Sequence, residues 1–193
     1  MSASSYGIIV EGDYDSAVYG AFIRRLALPY AHIKPLVCRG KTNLMKEFPA
    51  LLRAFEYEVE GSPVDMAIVV RDSDGKDPGE VEAQMRAKID GRRYPFRLNV
   101  RLHAVRHAMD AWLLADVNAI NTVSESRRGT RVTRLPDTPE DLLRPKDGLR
   151  NLLADHKIAY TAEVCREIAQ ITNLQLLSER CPRFRVFSEL VDC

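Results

Sequence analysis

The hydrophobic positions of this chain fall into two alternating patterns: short unbroken apolar runs, and stripes spaced three and four residues apart. Tyr6–Val10, Ile33–Cys38 and Asp65–Arg71 are short runs rich in branched side chains and bounded by Gly, Pro or acids, the pattern of buried strands. Phe96–Val105 alternates and predicts a fourth strand. Between the runs the spacing is helical. Ala17, Val18, Ala21, Phe22 and Leu26 share one face of a helix over Asp13–Leu28, which Pro29 stops. Leu44, Phe48, Leu51, Leu52 and Phe55 form the stripe of a second helix, capped by Thr42 or Asn43 and running to about Glu60 before the break at Gly61-Ser62-Pro63. Pro78 opens a charged helix that reaches about Ile89, and a helix after strand four carries Trp112, Leu113 and Leu114. Past Val117 the character changes. Residues 124–139 are polar, rich in Arg and punctuated by Gly129, Pro136 and Pro139, the composition of a long loop, and Glu140–Cys193 shows only short helical stretches.

The order β-α-β-α-β-α-β followed by helices places the chain in the α/β class, with a mostly parallel central sheet flanked by helices and a helical C-terminal extension. We expect an α/β domain over residues 1–117 and an extension over 118–193 packed on it. A chain of 193 residues can bury such a core. No apolar run is long enough for a transmembrane helix, and the first residues lack a basic segment followed by an apolar one, so a cytoplasmic protein is expected. Cys38, Cys165, Cys181 and Cys193 are widely spaced, which suits reduced thiols rather than a disulfide frame or zinc site.

The formal net charge is +1, which decides nothing about a polyanionic partner, but the charges are unevenly distributed. Between Arg86 and Arg106 stand Arg86, Lys88, Arg92, Arg93, Arg97, Arg101 and Arg106 against the single acid Asp90. Arg127, Arg128, Arg131 and Arg134 form a second group. A basic middle beside an acidic rim suits a phosphodiester substrate; the alternative is a solvated helix face and edge strand.

The first and third apolar runs both end in carboxylates: Glu11-Gly12-Asp13-Tyr14-Asp15 after the first, Asp72-Ser73-Asp74 after the third. In open α/β sheets ligands bind at the carboxyl ends of the strands. If the two strands are neighbours, Glu11, Asp72 and Asp74 converge, and clustered carboxylates repel one another until a cation or proton relieves them. Hard oxygen donors without thiolates favour Mg²⁺ or Mn²⁺. Asp110, expected near the end of strand four, is a further candidate ligand. Asp13, Asp15 and Asp77 also suit helix N-termini. Asp72–Asp77 resembles part of a calcium loop but has Ala83 where that loop needs a bidentate Glu. Arg39-Gly40-Lys41-Thr42 fails the P-loop spacing because Pro35 stands where a Gly is required, yet Lys41 at a helix start can hold a phosphate. His103 and His107 lack the Glu of a zinc-protease pair.

Glu11-Gly12, the acid Asp15 four residues on and the later Asp72-x-Asp74 together resemble the Toprim domain of topoisomerases, bacterial primases, recombination-repair proteins and the overcoming-lysogenization-defect nucleases. Asp110-Ala-Trp-Leu-Leu-Ala-Asp116 and Cys181-Pro-Arg-Phe-Arg-Val-Phe187 are similar to motifs of a family of small stand-alone Toprim-like proteins of unknown function, often encoded beside an ATPase in bacterial defence loci. That family usually has Glu where this chain has Asp110. The resemblance implies a Toprim-like fold, catalytic roles for Glu11, Asp72 and Asp74, and Asp15 as a further ligand. It implies, as an alternative role for Glu11, a general acid or base, and it implies Lys146 as a cation offsetting phosphate charge. Arg106 completes the expected phosphate contacts beside Lys41 and Lys146.

Together these features point to a divalent-metal-dependent nuclease acting on DNA or RNA, the effector of an ATPase-coupled defence system. The alternatives are a non-catalytic Toprim-like adaptor for an ATPase partner, and a small-molecule phosphotransfer enzyme using the same rim.

Overall fold

The four apolar runs pair side by side in one parallel sheet of order β2-β1-β3-β4, formed by β1 (Ser5–Val10), β2 (His32–Val37), β3 (Met66–Asp72) and β4 (Val100–Val105). This is a computed structural model, and it describes residues 3–57, 63–96 and 99–192. Parallel neighbours require a crossover, and each gap supplies a helix: α1 (Asp13–Leu26), α2 (Lys41–Leu51) and α3 (Pro78–Ala87). Six further α-helices come after β4 among the described residues: α4 (Asp110–Leu113), α5 (Val117–Ser126), α6 (Pro145–Asp155), α7 (Ala162–Ile171), α8 (Leu174–Arg180) and α9 (Pro182–Asp192).

Both sheet faces are covered, which explains why β1 and β3 read as unbroken apolar runs rather than alternating ones. Tyr6, Ile8, Val10, Met66, Ile68 and Val70 face α1 and the C-terminal helices in one cluster. Ile9, Ala67, Val69, Leu102 and Ala104 face α2 and α3 in the other.

Several boundaries differ from the sequence reading. The second helix ends at Leu51 and passes into a 3₁₀ turn over Leu52–Tyr57, whereas a helix to Glu60 was expected; residues 58–62 lie outside the described residues. Pro49 lacks an N–H to give one turn back, which weakens this helix near its end. Its N-cap is Gly40 (φ 121°), not Thr42 or Asn43. Strand four starts at Val100 rather than Phe96, because Asn99 adopts a left-handed backbone (φ 68°) and its N–H bonds back to the Phe96 carbonyl. The polar stretch expected as a loop over 124–139 begins inside α5, and its remainder is pinned. Asn121 clasps Val132 through both its carbonyl oxygen and its amide, at 2.7 and 2.9 Å, and Arg180 donates to the carbonyls of Pro136 and Asp137.

Trp112 is the hub of the C-terminal half. It is fully buried and meets Tyr19, Phe22, Phe184 and Phe187 ring to ring. Phe184 and Phe187 thereby hold α9 on the core. The indole N–H donates to Glu140 at 2.8 Å, and the same buried carboxylate accepts the N–H groups of Arg183 and Phe184 in the first turn of α9. A carboxylate at a helix N-terminus is favoured by the exposed amides and the helix dipole. Truncating Glu140 strands a buried indole N–H and the start of α9. Glu140→Ala is expected to cost about 3 kcal/mol, within the range for orphaned buried donors, and Glu140→Gln, which keeps an acceptor, clearly less. Urea denaturation compares the two; equal losses would place the effect outside this hydrogen-bond set.

Candidate active site

The carboxylates that end β1 and β3 meet because the two strands are parallel neighbours in register, Ile9 opposite Val69. Glu11 follows β1 directly, and its Oε1 accepts the backbone N–H of Asp72 at 3.2 Å. Gly12 then starts α1, and Asp15 in the first turn folds back to accept the Gly12 N–H at 2.8 Å. Asp110 opens α4 beyond β4 and accepts the Tyr160 hydroxyl at 2.6 Å. Glu11, Asp15, Asp72 and Asp110 line one cleft of about 400 Å³, together with Tyr14, Lys146 and Tyr160.

These acids are poorly hydrated, and burial raises all four. Burial and then Asp15, Glu11 and Asp110 push Asp72 well above the usual carboxylate range. Burial and then Glu11 push Asp15 up to about 7. Burial raises Glu11, with Asp74 adding to it against the Asp72 backbone hydrogen bond. Burial raises Asp110 too, while the Tyr160 hydroxyl and Lys146 hold it partly down. Behind them the Tyr19 hydroxyl is buried with no hydrogen-bond partner among the described residues, and its proton is held more tightly by burial and by the same four carboxylates.

An all-oxygen set of desolvated acids backed by an orphaned hydroxyl fits a hard divalent cation in donor type and charge. As the side chains stand, no three or more His, Cys, Asp or Glu among the described residues are arranged to hold one metal ion. Of the expected set Glu11, Asp72 and Asp74, the first two meet through the Asp72 N–H, while Asp74 turns aside. Asp74 sits in a left-handed turn (φ 51°), is half exposed, and pairs with Lys41 at 2.7 Å. It lines the adjoining hollow with Asp72 and Lys146 instead.

The cations divide similarly. Lys146 lies in the first turn of α6, in the acidic cleft, over the Tyr14 ring. Lys41 is at the first turn of α2 but engaged by Asp74. Arg106 is elsewhere: it lines a separate cleft of about 860 Å³ and pairs with Asp141 at 3.1 Å. The basic cluster over Arg86–Arg93 does not border the rim. A crossover helix must carry the chain back to the opposite edge of a parallel sheet, so Arg86, Lys88, Arg92 and Arg93 gather at the far end, and Arg97 lies outside the described residues. Arg127 is committed to Glu167 at 2.7 Å. His103 is buried on β4 with Arg183 at 3.3 Å from its Nδ1, and burial pushes it down to about 3, so it forms no pair with His107. Asp77 caps α3 through the Glu80 N–H.

Tyr14 and Tyr160, both in the cleft wall, were missed from the sequence. Tyr160 precedes the Thr161 cap of α7, in a segment with no periodicity to mark it. Its partner Asp110 lies fifty residues away.

A family model described as "Domain of unknown function (DUF4276)" matches residues 10–191. No curated protein matches the chain. Among solved structures, the chain is similar to the C-terminal region of the Burkholderia pseudomallei OLD protein at 15% identity and a TM-score of 0.48, with 98% of this chain and 97% of that one covered. The C-terminal region of the Xanthomonas campestris pv. campestris OLD protein gives 13% identity and a TM-score of 0.48, covering 98% and 94%.

The raised Asp15 has a measurable consequence. Its folded pKa of about 7 lies above its ordinary 3.8, so the native state holds this proton more tightly than the unfolded chain does. That stabilisation is complete below about pH 4 and is lost as pH rises through 7; the raised Asp72 acts in the same sense. Melting temperature is expected to fall from pH 5 to pH 8 in metal-free buffer, more steeply in the native chain than in Asp15→Asn. A millimolar dose of Mg²⁺ is expected to restore it at pH 8. Parallel pH profiles for the two proteins would remove Asp15 from the cluster.

Proposed function

The chain belongs to the family described as Domain of unknown function (DUF4276), and we propose that it is a divalent-metal-dependent nuclease with a Toprim-type site, working with a partner ATPase in the cytoplasm. The observation that carries this reading is the gathering of Glu11, Asp15, Asp72 and Asp110, drawn from three chain segments, in one cleft with Lys146. Glu11, Asp15, Asp72 and Asp110 are the residues that hold Mg²⁺ or Mn²⁺ in this reading, with Asp74 available on release from Lys41. When bound, such an ion polarises a phosphoryl oxygen and acidifies a water.

The protein's own groups supply the remainder. Lys146 is exposed at the cleft and offsets charge that develops on a phosphate. Lys41, freed from Asp74, adds a second contact at the start of α2. Burial raises Glu11, which suits a carboxyl that both takes up and gives back a proton. The Toprim motifs favour nucleic acid over a small phosphate ester. The near-zero net charge gives little general pull on a polyanion, and the basic cluster lies away from the rim, so substrate capture falls to the partner. A role in defence against phage rests on the same motif resemblance.

The test is incubation of plasmid DNA and total RNA with the protein in Mg²⁺ or Mn²⁺, with and without the product of an adjacent ATPase gene. Cleavage is expected with the partner and weak or absent without it. Glu11→Ala and Asp72→Ala are expected to lower it by about 10²-fold or more, as for loss of an electrostatic element of a site, while circular dichroism remains native. Cleavage that persists in Glu11→Ala, or none under any combination, would instead favour the non-catalytic adaptor.

A further inference from the structure

We infer that Tyr160 is a positioning residue of this site: its hydroxyl holds the Asp110 carboxylate toward the acidic cleft, on a two-ring stack that also carries Lys146. The inference rests on the metal-binding reading and deepens it by adding a residue that touches neither metal nor substrate.

The helix bearing Asp110 is a single four-residue turn, too short to orient a carboxylate by itself. Asp110 is nonetheless 4% exposed and takes the Tyr160 O–H at 2.6 Å, a short bond typical of a hydroxyl donating to a charged acceptor. A hydroxyl can fix a carboxylate only if its own ring is fixed. The Tyr160 ring stacks on Tyr14 with centroids 4.9 Å apart and 13° between planes, and Arg150 stands over it at 5.5 Å. The Tyr14 hydroxyl donates to the Tyr160 carbonyl at 3.3 Å, and the Thr161 side chain caps α7 immediately afterwards. Backbone and ring are thus both held.

The second ring of the stack also carries a cation. Lys146 Nζ lies over the Tyr14 ring, 5.7 Å from its centroid. Asp110 and Lys146, a candidate ligand and the candidate phosphate contact, therefore hang from the same pair of rings. Tyr14 belongs to α1, whose start also supplies Asp15, so the stack ties the first helix to the segment before α7 across the cleft. Groups that hydrogen-bond a metal's carboxylate ligand commonly set affinity by 10- to 100-fold.

The experiment is a Mn²⁺ titration followed by the electron paramagnetic resonance of the free ion, on the full chain and on Tyr160→Phe, Asp110→Ala, Asp110→Asn and the double variant Tyr160→Phe/Asp110→Ala. Tyr160→Phe keeps the ring and its stack and removes only the hydroxyl. It is expected to weaken Mn²⁺ binding about 10-fold with a near-native melting temperature. In the Asp110→Ala background the same change is expected to add less than about 2-fold, because a hydroxyl that acts through Asp110 has nothing left to orient. Equal Mn²⁺ affinity in Tyr160→Phe and the native chain overturns the inference, as does an undiminished effect in the double variant. Should Tyr160→Phe fold poorly, Asp110→Asn decides: native affinity there means that Asp110 is no ligand, and the inference falls. A native chain that binds no Mn²⁺ overturns the metal reading itself, and is thereby distinguished from a native chain that binds while the tyrosine variant is unchanged.

Discussion

The parallel pairing of β1 with β3 is the constraint on which the cleft depends. Because the strands run the same way and in register, both chains leave the sheet at the same edge, and both leave it on an acid. Glu11 and Asp72 are then adjacent whatever the surrounding loops do, as the hydrogen bond between them shows. An antiparallel arrangement would have put the two acids at opposite ends of the sheet. The crossover rule that brings the acids together also separates them from the bases after α3, which return to the far edge.

Local consistency is broken at this edge and kept elsewhere. The strands, helix caps and aromatic hub agree with one another, as expected of a sequence that specifies one fold. The cluster of Glu11, Asp15, Asp72 and Asp110 does the opposite: four carboxylates share one cleft in which burial raises every one, and Glu11 and Asp110 further raise Asp15 and Asp72. Departures of this kind concentrate where a ligand supplies the missing charge. The orphaned Tyr19 hydroxyl behind the cluster belongs to the same pattern.

The C-terminal helices are part of the cleft rather than an appendage. Asp110, Lys146 and Tyr160 all lie beyond β4, and they enter the cleft wall because α4, α6 and α7 pack over α1 and the first sheet face. Glu140 keeps this arrangement closed by joining Trp112 to the start of α9. A core continuous from the sheet to the last helix makes the position of Lys146 depend on packing far from the cleft.

The sequence alone determined the order of strands and helices, the α/β class, and the emergence of Glu11 and Asp72 from strand ends, since apolar runs, helical stripes and abrupt acids are local signals. It marked the strand start at Val100, the break after Leu51 and the pinned stretch after α5 poorly, because these hang on a left-handed Asn99, a helix-weakening Pro49 and the distant clasps of Asn121 and Arg180. Only the tertiary structure decided which acids share a cleft. Asp74 is two residues from Asp72, but a left-handed turn and Lys41 draw it aside. Arg106 comes directly after the last strand, but Asp141 takes it into another cleft. Tyr160 is fifty residues from Asp110, and nothing along the chain records that they touch. Spacing reports what one strand or helix presents; hydrogen bonds and ion pairs between distant segments form only once packing has brought them within about 3 Å.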